Sequence, residues 1–166
     1  MAAERAGQAG FRDGRRDFDF LIGVWHVRHQ RLRRRLAGCD DWDRFDGTCA
    51  ALPILGDVGN LDDNLLHLPG GSYRAITIRV FDPASQLWSI WWLDSRRMVM
   101  DAPLKGRFEG ATGLFHAEDV LDGRPIRVRF TWSDITRQSA RWSQAFSADG
   151  GDTWETNWVM EFRRAR

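Results

Sequence analysis

No stretch of this sequence approaches the ~20 consecutive apolar residues of a membrane-spanning helix. Its opening, MAAERAGQAGFRDGRR, lacks the apolar run of a secretory signal. Together these absences predict a soluble, cytoplasmic protein. Cysteine is scarce. Cys39 and Cys49 are the only two and lack metal-binding spacing. A reduced chain is the expectation, with a single disulfide as the alternative. Excess charge is lacking too. The formal net charge is +1, which argues against a general binder of nucleic acid or of membrane surfaces.

Recognisable catalytic and cofactor patterns are also missing. No Ser-His-Asp order or nucleophile elbow occurs. His26, His29, His67 and His116 show no ligand spacing, and the first two fall on opposite faces of a strand. Neither a metal nor a cofactor is expected. GDVGNLDDN at 56–64 has two glycines, but no helix with Lys or Ser/Thr follows. It reads as a polar loop at a mouth rather than a phosphate cradle. Asp62 and Asp63 within it do not follow a calcium-loop pattern.

What the chain does have is tryptophan, nine of them, within an apolar content of 43%. That suffices for a packed core in one domain. Residues 1–16 read as a polar, flexible tail and 17–166 as the domain. Turn signals recur at AGCDD, LPGG, DPAS, EGATG, LDGR and SADGGDT, with short runs rich in Val, Ile, Thr, Phe and Trp between them. This spacing predicts an all-β sandwich or barrel of nine or ten antiparallel strands. The strands fall near 24–36, 42–52, 64–68, 73–81, 87–94, 104–109, 114–121, 125–132, 139–147 and 154–163. The one helical candidate is a short turn at RDFDFLIG.

Turn chemistry sets registers, and registers set faces. Asp122-Gly123 is a two-residue hairpin signal that puts Phe115 opposite Phe130 and Glu118 opposite Arg127. Phe115, Ile126, Val128, Phe130 and Trp132 then face inward. A DPASQ loop pairs Val80 with Trp88, Ile76 with Trp92 and Arg74 with Asp94, turning Trp88, Ile90 and Trp92 inward. Trp91 and Leu93 are left on an apolar outer face. Such a face often marks a protein contact. SADGGDTW resembles the Asp-box turn of sialidases and other β proteins. The resemblance implies that Asp149 holds turn amides while Trp154 packs beneath. With one copy only, it serves as a hairpin device. It pairs Gln144 with Thr156 and Trp142 with Trp158.

Gly23-Val24-Trp25 follows DFDFLIG and opens the first strand. It resembles the G-x-W start of lipocalin-type barrels, where the Trp closes the floor under a basic residue from the last strand. Arg163 or Arg164 would take that basic role. DFDFLIGVWHVRHQRL, LGDVGNLDDN, FDPASQLWSIWWLDSR and RWSQAFSADGGDTWETNW together resemble a bacterial family of uncharacterised proteins with lipocalin-like barrels. The resemblance implies a barrel over about 17–163 and carries no catalytic residues.

The inward phase supplies the candidate site. Trp92, Trp132, Trp142 and Trp158 are the expected cavity walls. Trp25 sends Val27, His29 and Arg31 inward with it. If AGCDD pairs 36 with 42, His29 lies opposite Cys49, flanked by the small Gly47 and Ala51. That leaves space, and His29 becomes both pocket residue and candidate catalyst, its ordinary pKa near ~6.5 suiting proton transfer. Gln144 and Thr156 are polar groups in an aromatic wall and need partners: each other, backbone or a ligand. Arg31 at the mouth is the receptor if the ligand is anionic. Arg33 and Arg35 read as solvated or paired to Asp40, Asp41, Asp43 or Asp46.

Three functions fit these features. The first is binding of a small apolar or aromatic molecule in the barrel. The second is a cofactor-independent isomerase or cyclase in which His29 is the base and Gln144 orients the substrate. The third is a homodimeric interaction module with a solid core, joined through the Trp91/Leu93 face.

Overall fold

The structure is a computed structural model describing residues 13–166. Most of the expected tail, residues 1–12, lies outside the described residues. Two 3-10 turns, Gly14–Arg16 and Asp19–Leu21, lead into ten strands. These are β1 (Gly23–Leu32), β2 (Trp42–Ile54), β3 (Gly59–Leu68), β4 (Gly71–Asp82) and β5 (Leu87–Asp94). There follow β6 (Leu104–Glu109), β7 (Thr112–Leu121), β8 (Arg124–Ser133), β9 (Ser139–Ser147) and β10 (Glu155–Arg164). Each strand pairs antiparallel with the next, and β10 returns to β1 to close the barrel. Closure leaves no sheet edge to aggregate. Among the described residues no helix is long and apolar enough to cross a membrane.

Alternation explains why these segments are strands. In β1, Trp25, Val27 and His29 are buried while Val24, His26 and Arg28 face solvent. In β8, Ile126, Val128 and Trp132 are buried, with Phe130 packed beside them. The Asp122-Gly123 turn behaves as its chemistry demands. Both residues have positive φ (50° and 78°), and Leu121 meets Arg124. Phe115 pairs with Phe130 and Glu118 with Arg127.

Three registers and one strand boundary differ from the sequence expectation. Leu32, not residue 36, pairs with Trp42, so His29 faces Phe45 and Cys49 faces Trp25. Residues 33–41 leave the ladder because Leu36 and Gly38 take positive φ and the chain bends over the barrel mouth. The supposed mouth loop at 56–64 is half strand: β3 starts at Gly59 and turns Asn60, Asp62 and Asn64 inward. The β4–β5 loop is Pro83–Gln86, with Gln86 at φ 59°, and Asp82 stays in β4. That one-residue change pairs Phe81 with Trp88 and Thr77 with Trp92. Every side chain of β4 therefore swaps faces, while Trp88, Ile90 and Trp92 stay inward. Arg74 consequently bridges Asp63 rather than Asp94, and Asp94 bridges Arg96. The β9–β10 hairpin pairs Phe146 with Glu155, and a bulge between Thr156 and Trp158 shifts the register again, so Gln144 faces Trp158 rather than Thr156 and Trp142 faces Met160 rather than Trp158.

The floor is built as the G-x-W resemblance implies. The Arg164 guanidinium lies 4.0 Å above the Trp25 ring. It donates to the carbonyls of Phe20 (2.7 Å), Ile22 (2.8 Å) and Arg137 (2.9 Å). Trp25 Nε1 donates to the Leu21 carbonyl at 2.7 Å. These bonds seat Phe18 and Leu21, both buried, as a plug. Phe18 packs edge-on against Trp88 and Phe108. Arg163, the other candidate, is exposed. Charge-assisted bonds of this kind contribute about 1.5–3 kcal/mol each at most. Arg164→Ala should lower unfolding free energy by about 3 kcal/mol in a urea titration. Arg163→Ala should change it by less than about 0.5 kcal/mol.

Candidate functional site

With one end plugged, the barrel opens at the other. There a cavity of about 670 Å³ is walled by Trp92, Phe130, Trp142, Phe146 and Trp158, with Gln144 among them. Its rim carries Arg31, Arg35, Arg96 and Arg97 together with Asp94, Asp101, Glu118 and Asp119. Edge-to-face packing fixes the walls: Trp142 on Trp158 at 5.6 Å, Trp92 on Trp158 at 5.8 Å, Phe130 on Trp142 at 4.8 Å. A volume of this size accepts a small organic molecule.

Deeper in, a chamber of about 30 Å³ shares Ile90, Trp92, Phe130 and Trp142 with that cavity. Trp132 lines this chamber rather than the outer one. So do Asp62, Asn64, Thr77 and Arg79, all buried. Asp62 accepts from Arg79 Nη1 (2.6 Å), from the Thr77 amide (3.1 Å) and from Asn64 Nδ2. Arg79 also donates to Asn60 (2.9 Å) and lies over the rings of Phe18 and Trp132. Its Nε is buried without a hydrogen-bond partner among the described residues. Sequence reasoning missed this group because the shifted β4 register placed Thr77 and Arg79 outside. The available signal was Asn60, Asp62 and Asn64 sharing one phase of a strand whose other phase holds Leu61 and Leu65.

Of the residues singled out from sequence, Arg31, Trp92, Trp142, Gln144 and Trp158 meet at the outer cavity. Thr156 does not: Phe146 faces Glu155 rather than Trp154, which sets Thr156 opposite Ala145 and exposed, and the bulge that follows buries Asn157. Gln144 Nε2 donates to Asn157 Oδ1 at 2.8 Å, so the polar pair in the aromatic wall is Gln144–Asn157. Trp25 belongs to the floor. Cys49 is buried beside it as a free thiol, its pKa pushed up by burial. Cys39 is free as well.

His29 lines neither cavity nor chamber. It stacks on Phe45 at 4.6 Å, and its Nδ1 accepts the Trp158 indole N–H at 3.2 Å. Accepting at Nδ1 places the proton of the neutral ring on Nε2. Gly47 makes room for that edge, since a Cβ there would sit 2.9 Å from Nε2. Burial, with Arg31 adding to it, lowers the His29 pKa to about 3. A general base needs a free lone pair on the substrate side and a pKa near the working pH. His29 in this setting has neither.

The Asp-box turn is formed as its resemblance implies. Asp149 accepts from the Thr153 amide at 2.9 Å and from the Ser147 hydroxyl at 2.7 Å. Bonds from Thr153 and Ser147 hold its carboxyl well below the usual range. Trp154 packs beneath, donating to the Gly151 carbonyl at 2.9 Å and lying under Arg129.

Fold and cavity together define a class: a closed, lipocalin-like β-barrel, plugged at one end and open at the other. No family model matches the chain. No curated protein matches it either. Among solved structures it is similar to the S-type phycobiliprotein lyase CPES from Guillardia theta. The match covers 95% of each chain at 10% identity, with a TM-score of 0.62. At that identity the likeness establishes the shared barrel.

The buried histidine generates a pH prediction. In the unfolded chain His29 binds a proton below about pH 6.5; in the folded chain it resists protonation down to about 3. The unfolded state therefore binds more protons in that window, and folding stability falls as pH falls through it. The slope attributable to His29 should approach, at most, about 1.4 kcal/mol per pH unit. Urea midpoints between pH 7 and pH 4 should drop more steeply in the native protein than in His29→Gln. Equal slopes would show that His29 protonates freely in the fold.

Proposed function

We propose that this protein binds a small apolar or aromatic molecule in the outer cavity. The supporting observation is the cavity itself: about 670 Å³ of space with three tryptophans on its wall, open at the barrel end opposite the plug. Such a wall offers flat apolar area held rigidly by ring packing, which lowers the ordering cost of binding. The barrel shared with a phycobiliprotein lyase agrees with an interior that receives a ligand. 9-Anthracenemethanol, a neutral fluorescent aromatic, should bind saturably and quench tryptophan emission. Ala117→Phe, which projects a ring into the cavity from β7, should weaken that binding at least tenfold with the circular dichroism unchanged. Unsaturable binding, or binding indifferent to Ala117→Phe, would count against this use of the cavity.

A second copy of the chain on the outer wall is the other proposal, and one observation favours it. Leu52, Leu61, Ile78 and Trp91 form a cross-strand row on the outside of β2 to β5, with Leu52 50% exposed. Sedimentation should then show a dimer that Trp91→Glu converts to a monomer. A native monomer at micromolar concentration would remove the proposal.

A further inference from the structure

The rim of the cavity holds four guanidiniums, and they are not equivalent. Arg96 grips Asp94 with two bonds, 2.9 and 3.3 Å. Arg97 is paired with Asp101. Arg31 and Arg35 have no carboxylate in an ion pair among the described residues. The cross-strand neighbour of Arg31 is Asp43, but Asp43 is bridged to Arg33 at 2.8 Å. The carboxylate whose field reaches Arg35 belongs to Glu155, and its Oε1 is taken by the Leu36 amide at 2.7 Å. The rim carboxylates on β7 are also engaged: Glu118 with Arg127 at 3.1 Å, Asp119 with the Val120 amide at 2.7 Å.

Arg31 is held by neutral groups, and Arg35 by the backbone that carries it. Arg31 lies 5.1 Å from the Trp158 ring and 5.7 Å from Phe45, and donates to the Tyr73 hydroxyl at 3.3 Å. Arg35 is carried by the 33–41 connection. Leu36 packs on the core beside it, and the Leu36–Glu155 bond pins the backbone. Arg35 Nε is buried with no hydrogen-bond partner among the described residues. Burial first, and the Arg31 charge second, lower the Arg35 pKa. Two like charges thus stand half-buried over an apolar cavity, against each other's field. Such an arrangement is destabilising by itself and favours an anion that bridges both.

We propose that Arg31 and Arg35 form a carboxylate receptor at the cavity mouth, and that the ligand is an aromatic carboxylic acid. Its rings enter between the tryptophans and its carboxylate remains between the two guanidinium forks. A carboxylate matches the planar donor pairs of arginine, which a hydroxyl or amide does not. Rings rather than an alkyl chain follow from the rigid aromatic walls. The proposal rests on the cavity being a binding site and adds a charge requirement to it.

A matched pair of probes separates the two claims. 9-Anthracenecarboxylate and 9-anthracenemethanol share one ring system and differ in the anion. The native protein should bind the acid about tenfold or more tightly than the alcohol, as expected for one charge-assisted contact. In Arg31→Gln/Arg35→Gln the acid should fall to the level of the alcohol, while alcohol binding stays within twofold. Arg31→Lys, which keeps the charge and loses the fork, should recover only part of the difference. Binding of the alcohol with no preference for the acid would overturn the receptor and leave the cavity standing. So would an acid preference that survives in the double variant. Failure of both probes on the native protein would overturn both claims. Failure of the alcohol alone, with the acid bound and lost in the double variant, would uphold the receptor and reject a purely apolar ligand. Hexanoate at equal concentration tests the rings, and binding as tight as the anthracene acid would reject the aromatic class.

Discussion

One guanidinium closes this barrel. Arg164 covers Trp25 and ties three carbonyls, from Phe20, Ile22 and Arg137, to the end of β10. Those carbonyls lie before β1 and before β9, so a single side chain joins the entry turn, the first strand and the last pair of strands. With the floor fixed, the 3-10 turn at Asp19–Leu21 points Phe18 and Leu21 upward into the barrel. The rings of Trp88, Phe108, Phe115 and Trp132 then fill the lower half around Phe18. The interior space of the outer cavity is left toward the opposite end, and its position follows from that packing.

Between plug and cavity sits a polar collar, and it imposes the oddest pattern in the chain. Along β3 and β4 the usual polarity is reversed: Asn60, Asp62, Asn64, Thr77 and Arg79 face inward, while Leu61, Leu65, Ile76, Ile78 and Val80 face outward. A buried ion pair is often neutral or worse for stability than an apolar substitute. Asp62 is tolerable because both oxygens accept hydrogen bonds, three in all. Arg79 is tolerable because its flat face lies over Phe18 and Trp132. The apolar outer wall is the other side of the same constraint. Once alternate residues of two strands turn inward, their neighbours point out, and here Leu61, Leu65, Ile76, Ile78 and Val80 are among those neighbours.

The sequence made the barrel legible wherever turn chemistry was local and complete. Asp122-Gly123 admits one hairpin geometry, and every pairing drawn from it holds in β7–β8. The Asp-box motif places Asp149 and Trp154 for the same reason. Longer connections escaped. Whether Asp82 ends a strand or begins a loop changes nothing in composition, yet it swaps all of β4 between faces. Apolar content then pointed the wrong way, because Ile76, Ile78 and Val80 are the more apolar phase and lie outside. The Asn157 bulge carries no signal beyond the residue itself, which is polar, fully buried and bonded to Gln144. Trp92, Trp142 and Trp158 are legible because they retain their inward phase through these shifts. The buried polar residues are not, because their orientation depends on the shifts themselves.

His29 shows how a residue suited to chemistry by its type becomes structural by its neighbours. Its ring is sandwiched against Phe45 and accepts the one polar atom of Trp158. With Nδ1 so engaged, the indole of Trp158 is held at a fixed angle, and that indole is both cavity wall and platform for Arg31. Gly47 is needed because any Cβ there would meet the Leu65 carbonyl at 2.5 Å and the histidine at 2.9 Å. The chain Gly47, His29, Trp158, Arg31 is therefore one stack in which each member fixes the next. A neutral imidazole suits the stack better than a cation, which would repel Arg31 and lose the acceptor that orients Trp158. The depressed pKa is thus the electrostatic counterpart of a positioning role: the uncharged histidine adds no further repulsion to the arginines at the cavity mouth.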